Sequence, residues 1–139
     1  MGSRRSRVNF TFVQRGGKGR AGKGKPPASR TAGMNKTEAR YAEHLQALLT
    51  AGDITAWWYE PVSWKIAAST HYKPDFLVQY EDGSLEVHEV KATRGKDWAS
   101  TPEAWVKLKV VAEQMPFRLA VVWQTKDHVW HYDYITESP

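Results

Sequence analysis

The chain of 139 residues fits one domain of ordinary size and leaves little room for two. Apolar residues make up 41% of it, with 7 Trp, 6 Tyr and 4 Phe, which suffices for a core and argues against disorder throughout. The absence of cysteine excludes a disulfide framework and any Cys-ligated zinc or iron–sulfur site. No apolar run reaches the roughly 18 residues of a membrane helix, and no signal-peptide core follows the basic start, so we expect no membrane partner and a soluble, cytoplasmic protein.

The net charge of +5 is unevenly distributed. Residues 1–33 contain nine of the 20 Lys and Arg side chains and none of the 15 acids, so this arm carries +9 and the remaining residues carry −4. A basic arm on a mildly acidic body indicates a polyanionic partner, most often nucleic acid, although many basic tails only solvate a terminus. The arm residues expected to bind DNA are Arg15, Lys18, Arg20, Lys23 and Lys25.

The arm precedes a regular domain. Residues 14–33 are rich in Gly, Pro and Lys and poor in large apolar residues, which predicts a flexible segment. Residues 8–13 alternate well enough to form a short strand if another strand pairs with them. We therefore divide the chain into an N-terminal arm, 1–33, and a folded domain, 34–139.

A helix opens the predicted domain. Asn35 followed by Glu38 is typical of a capping box, and an apolar stripe at helical spacing then continues to about Gly52. Strand-like runs follow at 55–60, 62–67 and 72–80. The turn signal Glu81-Asp82-Gly83-Ser84 leads into a strand at 85–92.

The second half repeats the alternation of helix and strand. A loop at 93–101 precedes a helix at about 102–115, which Pro116 ends, and strands at 117–124 and 129–135 close the chain. These elements predict an α/β fold in which a mixed central β-sheet is flanked by helices.

The strand at 85–92 carries the most informative local pattern. One of its faces holds Leu85, Val87, Glu89 and Lys91, and the other holds Glu86, His88, Val90 and Ala92. The first face begins apolar and becomes charged halfway along. Either a functional site at the end of the strand or a plain Glu–Lys pair at the sheet rim would explain this pattern.

Asp75 lies across the predicted turn from this strand. It precedes the apolar run Phe76-Leu77-Val78, where a lone carboxylate would be costly to bury. Adjacent carboxylates repel each other, and a hard divalent cation such as Mg²⁺ commonly holds them together. Lys91, on the same face as Glu89, could position or help deprotonate an attacking water. This combination is the chemistry of metal-assisted phosphodiester hydrolysis.

These residues resemble a known motif. Pro74-Asp75, a thirteen-residue gap and Glu89-Val90-Lys91 reproduce the PD-(D/E)XK nuclease motif. More narrowly, residues 36–124 are similar to the bacteriophage endonuclease I family of Holliday-junction resolvases and to small phage nucleases. The similarity also involves Tyr59-Glu60, the segment from Ser69 to Leu77, Lys107, and Glu113-Gln114-Met115-Pro116.

The resemblance implies an αβββαβ restriction-endonuclease-like core and a role for each matched residue. Asp75 and Glu89 would bind Mg²⁺, with the Val90 carbonyl as a further ligand and Mn²⁺ able to substitute, and Lys91 would be the catalytic lysine. Glu38 would lie near the metal as a ligand or through water, but a glutamate at this position is also typical of a capping box.

Other matched or nearby residues are candidates for DNA contact. Lys107 could reach a phosphate from the second helix, or simply be solvated. His71 could contact the scissile phosphate, although a histidine in a turn is more common. Arg94 and Lys96 lie in the loop at 93–101, beside Trp98, which could stack on a base.

Together these features predict a Mg²⁺-dependent DNA endonuclease, selective for branched DNA such as a Holliday junction, acting as a homodimer in the host cytoplasm if a phage encodes it. The alternatives are a nonspecific or nicking DNA nuclease, and a catalytically inactive nucleic-acid-binding module on the same fold. Endonuclease I enzymes continue with further helical and basic segments after the last matched strand. The short C-terminal end of this chain therefore leaves dimerisation and junction preference open.

Overall fold

The computed structural model describes residues 31–92 and 102–135. Their elements, in chain order, are α1 (Lys36–Ala51), β1 (Ala56–Tyr59), β2 (Trp64–Ala67), β3 (Thr70–Tyr72), β4 (Phe76–Gln79), β5 (Leu85–Lys91), α2 (Pro102–Gln114), β6 (Arg118–Gln124) and β7 (Trp130–Ile135). Neither helix is long and apolar enough to cross a membrane.

The strands form two sheets. The central sheet has five strands in the order β1-β4-β5-β6-β7, and β2 pairs with β3 in a separate antiparallel hairpin. Within the central sheet β5 and β6 are parallel, whereas the other neighbours are antiparallel. The prediction of an α/β fold with a mixed central sheet is confirmed. Without the hairpin, the elements follow the order αβββαβ with one further strand.

Helix α1 begins and ends at the predicted capping residues. The Asn35 side chain accepts a hydrogen bond from the Glu38 N–H at 2.8 Å, and the Glu38 carboxylate accepts one from the Asn35 N–H at 3.0 Å. Gly52 ends the helix in the left-handed conformation, with φ at 85°, which glycine adopts at little cost.

The two helices cover opposite faces of the central sheet. Tyr41, Ala42 and Leu45 of α1 pack in one buried cluster that includes Val90 of β5. Leu108 and Val111 of α2 belong to a second buried cluster, which contains Val87 of the same strand. The odd and even positions of β5 therefore lie on different faces, as the alternation predicts. The second cluster also holds the inner side of the hairpin, through Trp64, Ile66 and Tyr72.

The predicted strand at 72–80 is wrong in one respect, because the structure divides it. Tyr72 ends β3 in the hairpin and Phe76 begins β4 in the central sheet. Between them lies Pro74, which has no N–H to donate to a strand ladder. Asp75 directs its side chain onto the neighbouring strand instead.

The bounds of the predicted helices and of the other predicted strands after residue 34 differ from the observed ones by at most two residues. The predicted strand at 8–13, residues 14–30 of the predicted flexible segment and the predicted loop at 93–101 lie outside the described residues.

Candidate active site

Asp75 and Glu89 lie opposite each other where the β4–β5 ladder ends. The last pair of that ladder is Phe76 with His88, so the next antiparallel position sets Asp75 against Glu89. The Asp75 Oδ2 atom accepts a hydrogen bond from the Val90 N–H at 2.8 Å. The Asp75 carboxylate is thus fixed to the peptide unit that joins Glu89 to Val90.

Two side chains contact the Glu89 carboxylate. The buried Tyr72 hydroxyl donates a hydrogen bond to Oε2 at 2.6 Å, and Lys91 Nζ lies 3.6 Å from Oε1. The Lys91 side chain is 31% exposed and that of Glu89 only 13%, so the lysine reaches past the carboxylate toward solvent. Glu89 is therefore held from the hairpin side by Tyr72 and from its own strand by Lys91.

The pKa values of both carboxyl groups are raised. Burial raises the pKa of Asp75 to about 7, and the negative charges of Glu89 and Glu38 act in the same direction, whereas the Val90 N–H and Lys91 oppose it. Burial also raises the pKa of Glu89, against the hydrogen bond from Tyr72 and the charge of Lys91. Two ionised carboxylates are therefore costly at this position unless a proton or a cation compensates their charge.

The donor set fits a hard cation. Mg²⁺ is usually held by one or two carboxylates, with water and substrate phosphate completing its shell. Asp75 and Glu89 supply two such carboxylates. Within residues 31–92 and 102–135 no three or more His, Asp or Glu side chains form a metal-binding group, so water and substrate would have to supply the remaining ligands. The predicted role of the Val90 carbonyl stays a prediction, since the structure assigns a contact only to the Val90 N–H.

Glu38 is half-buried at the start of α1 and has two roles in the structure. It completes the capping box, and its Oε2 atom also accepts a hydrogen bond from the Tyr59 hydroxyl at 3.0 Å. Its charge is close enough to raise the pKa of Asp75. The structure therefore places the charge of Glu38 near Asp75 and gives its Oε2 atom two protein partners.

A cavity of about 430 Å³ opens next to Glu89. Its walls come from the hairpin side and from α2. The lining residues are Ser63, His71, Tyr72, Lys73, Glu89, Lys91, Ala104, Lys107 and Leu108. Of the predicted DNA contacts, His71 and Lys107 thus share one cavity with Glu89 and Lys91. The predicted contacts Arg15, Lys18, Arg20, Lys23, Lys25, Arg94 and Lys96 lie outside the described residues, as does Trp98.

Tyr72 and Tyr59, which bond to Glu89 and Glu38, were not among the predicted site residues. Tyr72 stands in the matched segment directly before Lys73-Pro74-Asp75, and that position was the available signal. The Tyr59–Glu38 contact joins residues 21 positions apart, and no local pattern indicates it.

The other face of β5 carries a buried polar network. Glu86 is 6% exposed and His88 1% exposed, and His88 Nε2 lies 3.1 Å from Glu86 Oε2. Tyr41 bonds to the other ring nitrogen of His88, while the hydroxyls of Tyr80 and Tyr134 donate to Glu86. Each buried polar side chain of this network has a hydrogen-bond partner, as expected of a buried network that favours one arrangement of the core.

Comparisons with protein-family models, with curated proteins and with solved structures found no match to this chain. The similarity to the PD-(D/E)XK nucleases therefore stays a prediction from the sequence motifs.

Proposed function

We propose that this chain is a divalent-metal-dependent endonuclease that hydrolyses phosphodiester bonds in DNA. One observation carries the proposal: Asp75 accepts a hydrogen bond from the N–H of Val90, which stands between Glu89 and Lys91, so two carboxylates and a lysine converge at one strand end. A Glu–Lys pair at a sheet rim needs no second carboxylate. In metal-assisted hydrolysis each of the three groups has a use: the carboxylates would hold the cation and the lysine would act on the attacking water or the phosphate.

The surroundings suit a phosphodiester substrate. Lys91, Lys107 and Lys73 line the cavity beside Glu89, together with His71. Glu89 is the one acidic side chain in that lining, against three lysines, so the cavity attracts a polyanion. This arrangement favours a nucleic-acid backbone over a neutral or cationic substrate.

Each residue then has a chemical role. A bound Mg²⁺ ion would supply Lewis-acid activation of the phosphoryl group and lower the pKa of an attacking water. Asp75 and Glu89 would hold that ion, and Tyr72 would fix the orientation of Glu89. Lys91 would donate a hydrogen bond to the attacking water or to the phosphate. His71 and Lys107 would contact phosphate oxygens and align the backbone for attack.

We further propose a homodimer that prefers branched DNA. Resolution of a four-way junction requires cuts in two opposed strands, and a twofold dimer presents two identical sites in that relation. Trp57 and Trp64 lie in the core, so the apolar surface of a dimer would have to come from other residues. Light scattering should give twice the mass of one chain, 15.9 kDa, and competition between junction and linear duplex should favour the junction.

Cleavage assays test the catalytic proposal. Wild-type protein is incubated with linear, flap and four-way-junction DNA in Mg²⁺, in Mn²⁺ and in EDTA. We expect cleavage in both metals and none in EDTA. Asp75→Asn, Glu89→Gln and Lys91→Met should each lower the rate by about 100-fold or more, because each removes a group that acts on the same phosphate.

Glu81→Gln is the matched control, since Glu81 is exposed in the turn before β5, and it should cut at the wild-type rate. Equal cutting of linear and branched DNA would mean that the protein is a nonspecific nuclease. DNA binding without cleavage in any metal would favour the inactive binding module. Wild-type rates in the Asp75 and Glu89 variants would overturn the site assignment.

A further inference from the structure

The hairpin β2–β3 stands apart from the central sheet and has two unlike faces. Trp64, Ile66 and Tyr72 face inward and are buried in the cluster beneath α2. Lys65 and His71 are paired directly across the two strands and are both exposed. Side chains at directly paired positions lie on the same face, so the outer face of the hairpin presents two basic groups.

This outer face is continuous with the cavity wall. His71 lines the cavity beside Glu89, and Lys73, at the end of the hairpin, lines it as well. The segment 62–74 contains no acidic residue. Lys73 forms an ion pair with Glu60 over 3.5 Å, whereas among the described residues Lys65 has no acidic partner within ion-pair distance.

The tip of the hairpin is slender. Residues 67–70 are Ala-Ala-Ser-Thr, and Ser69 takes a positive φ of 56° in the turn. A tip of small side chains lets the ribbon approach a surface closely, while the packed inner face holds its orientation. A two-stranded ribbon of this kind is of a size that duplex DNA can accommodate along a groove.

We propose that the outer face of the hairpin binds the phosphate backbone of duplex DNA next to the scissile phosphate, with Lys65 as the outermost contact. The proposal rests on the nuclease function proposed above. It adds Lys65, a residue remote from the carboxylate pair, and it assigns the hairpin to substrate binding. The DNA would pass from the Lys107 side of the cavity, over Glu89 and Lys91, to Lys73, His71 and Lys65.

The test measures DNA binding and cleavage by full-length Lys65→Ala. Fluorescence anisotropy with labelled duplex in EDTA, over a range of salt, gives affinity without cleavage. We expect affinity to fall about three- to tenfold at low salt, and the magnitude of the log–log salt slope to fall by about 0.9, because one phosphate contact is lost. In Mg²⁺ the KM for duplex should rise while kcat changes much less, and Lys65→Arg should restore both measurements.

Lys109→Ala is the matched control. Lys109 is exposed on α2 and lies over the Trp105 ring. Unlike Lys107, it does not line the cavity, so its loss removes one positive charge from a different side of the helix. If Lys65→Ala and Lys109→Ala change the salt slope and KM equally in an enzyme that cuts DNA, the hairpin proposal is wrong and the nuclease stands. If the wild type neither binds nor cuts duplex or branched DNA, the nuclease function fails first, and the hairpin proposal fails with it.

Discussion

The Tyr72 hydroxyl donates a hydrogen bond to Glu89 Oε2 over 2.6 Å, and the tyrosine itself is only 4% exposed. Burial and the neighbouring Glu89 charge raise the pKa of Tyr72 well above its ordinary value, so the hydroxyl stays a donor throughout the range in which the protein would work. A buried donor of this kind fixes the orientation of the carboxylate. The other carboxylate oxygen of Glu89, Oε1, lies near Lys91, and the residue lines the cavity.

Removing this hydroxyl should lower cation affinity and cleavage much more than it lowers the stability of the fold. In Tyr72→Phe we expect cation affinity or cleavage to fall about 10- to 100-fold, as is typical when a residue that orients a metal ligand is lost. The free energy of unfolding should fall by only about 1 kcal/mol, the usual value of one hydrogen bond. Calorimetric titration with Mn²⁺ and cleavage assays measure the first effect, and urea unfolding measures the second.

Tyr80→Phe is the control for this experiment, because its hydroxyl bonds to Glu86 on the other face of the sheet. It should change stability by a similar amount and leave Mn²⁺ binding intact. A Tyr72→Phe protein that binds Mn²⁺ and cuts DNA like the wild type would show that Glu89 needs no such support.

The raised pKa of Asp75 predicts how the metal-free protein responds to pH. Its pKa is about 7 in the folded state against an ordinary 3.8, so between these values the folded protein holds a proton that the unfolded chain releases. The free energy of unfolding should therefore decrease as pH rises from about 4 to about 7, by at most roughly 4 kcal/mol at 1.36 kcal/mol per pKa unit. The raised pKa of Glu89 acts in the same direction.

Asp75→Asn isolates this contribution. Other groups oppose it, since the pKa of Glu86 is lowered by His88 and its other partners in spite of burial. The quantity to compare is thus the difference between wild type and variant in urea unfolding at pH 4.5, 6 and 7.5 in EDTA. We expect the variant to gain stability relative to wild type as pH rises, and Mg²⁺ to stabilise only the wild type at pH 7.5. A difference that is constant with pH would contradict the assigned environment of Asp75.

Local signals explain which parts of this structure the sequence could predict. Asn35, Glu38 and Gly52 act within one turn of the helix ends, so the bounds of α1 follow from nearby residues alone. The turn at 81–84 joins β4 directly to β5, and a tight turn fixes the register that brings Asp75 against Glu89.

Contacts between distant residues could not be predicted in this way. Tyr41 meets His88 across 47 positions, and Tyr134 meets Glu86 across 48. Alternation assigns Glu86 and His88 to one face of β5, but whether that face buries them depends on which aromatic residues the helix and β7 bring over it. The break at Pro74 was missed because the apolar pattern continues on both sides of it.

The buried network predicts a stability effect that is separate from catalysis. Glu86→Leu would leave the hydroxyls of Tyr80 and Tyr134 and the His88 ring without their acceptor. We therefore expect the free energy of unfolding to be about 2–4 kcal/mol lower than in the wild type. Glu86→Gln retains one carbonyl acceptor and should lose about half as much. Glu43→Leu, at an exposed position of α1, should stay within about 0.5 kcal/mol.

Denaturant unfolding measures this effect, and cleavage at a temperature where each variant is folded tests the separation. Because the network lies on the α1 face of β5 and Glu89 lies in the cavity beside α2, the folded Glu86→Gln protein should cut at a rate close to wild type. A large loss of cleavage in the folded variant would mean that the two faces are coupled.

The last prediction concerns the basic arm. Deleting residues 1–30 removes all nine positive charges that precede the domain and keeps Gly33, whose carbonyl accepts a hydrogen bond from Tyr59. What remains carries a net charge of −4, so affinity for duplex DNA should fall strongly. The magnitude of the log–log salt slope should fall by about 0.9 for each phosphate contact that the arm makes.

A full-length variant separates charge from chain length. Changing Arg15, Lys18, Arg20, Lys23 and Lys25 to Gln leaves the arm in place, and if all five bind phosphates the slope should fall in magnitude by about 4.5. The rate of a single turnover at saturating DNA should fall far less than affinity, since Asp75, Glu89 and Lys91 all lie in the domain. Salt titrations of anisotropy give the slope, and rapid-quench cleavage gives the rate. A slope unchanged in both proteins would mean that the arm contributes nothing to DNA binding, and that the cavity walls and the hairpin supply all the phosphate contacts.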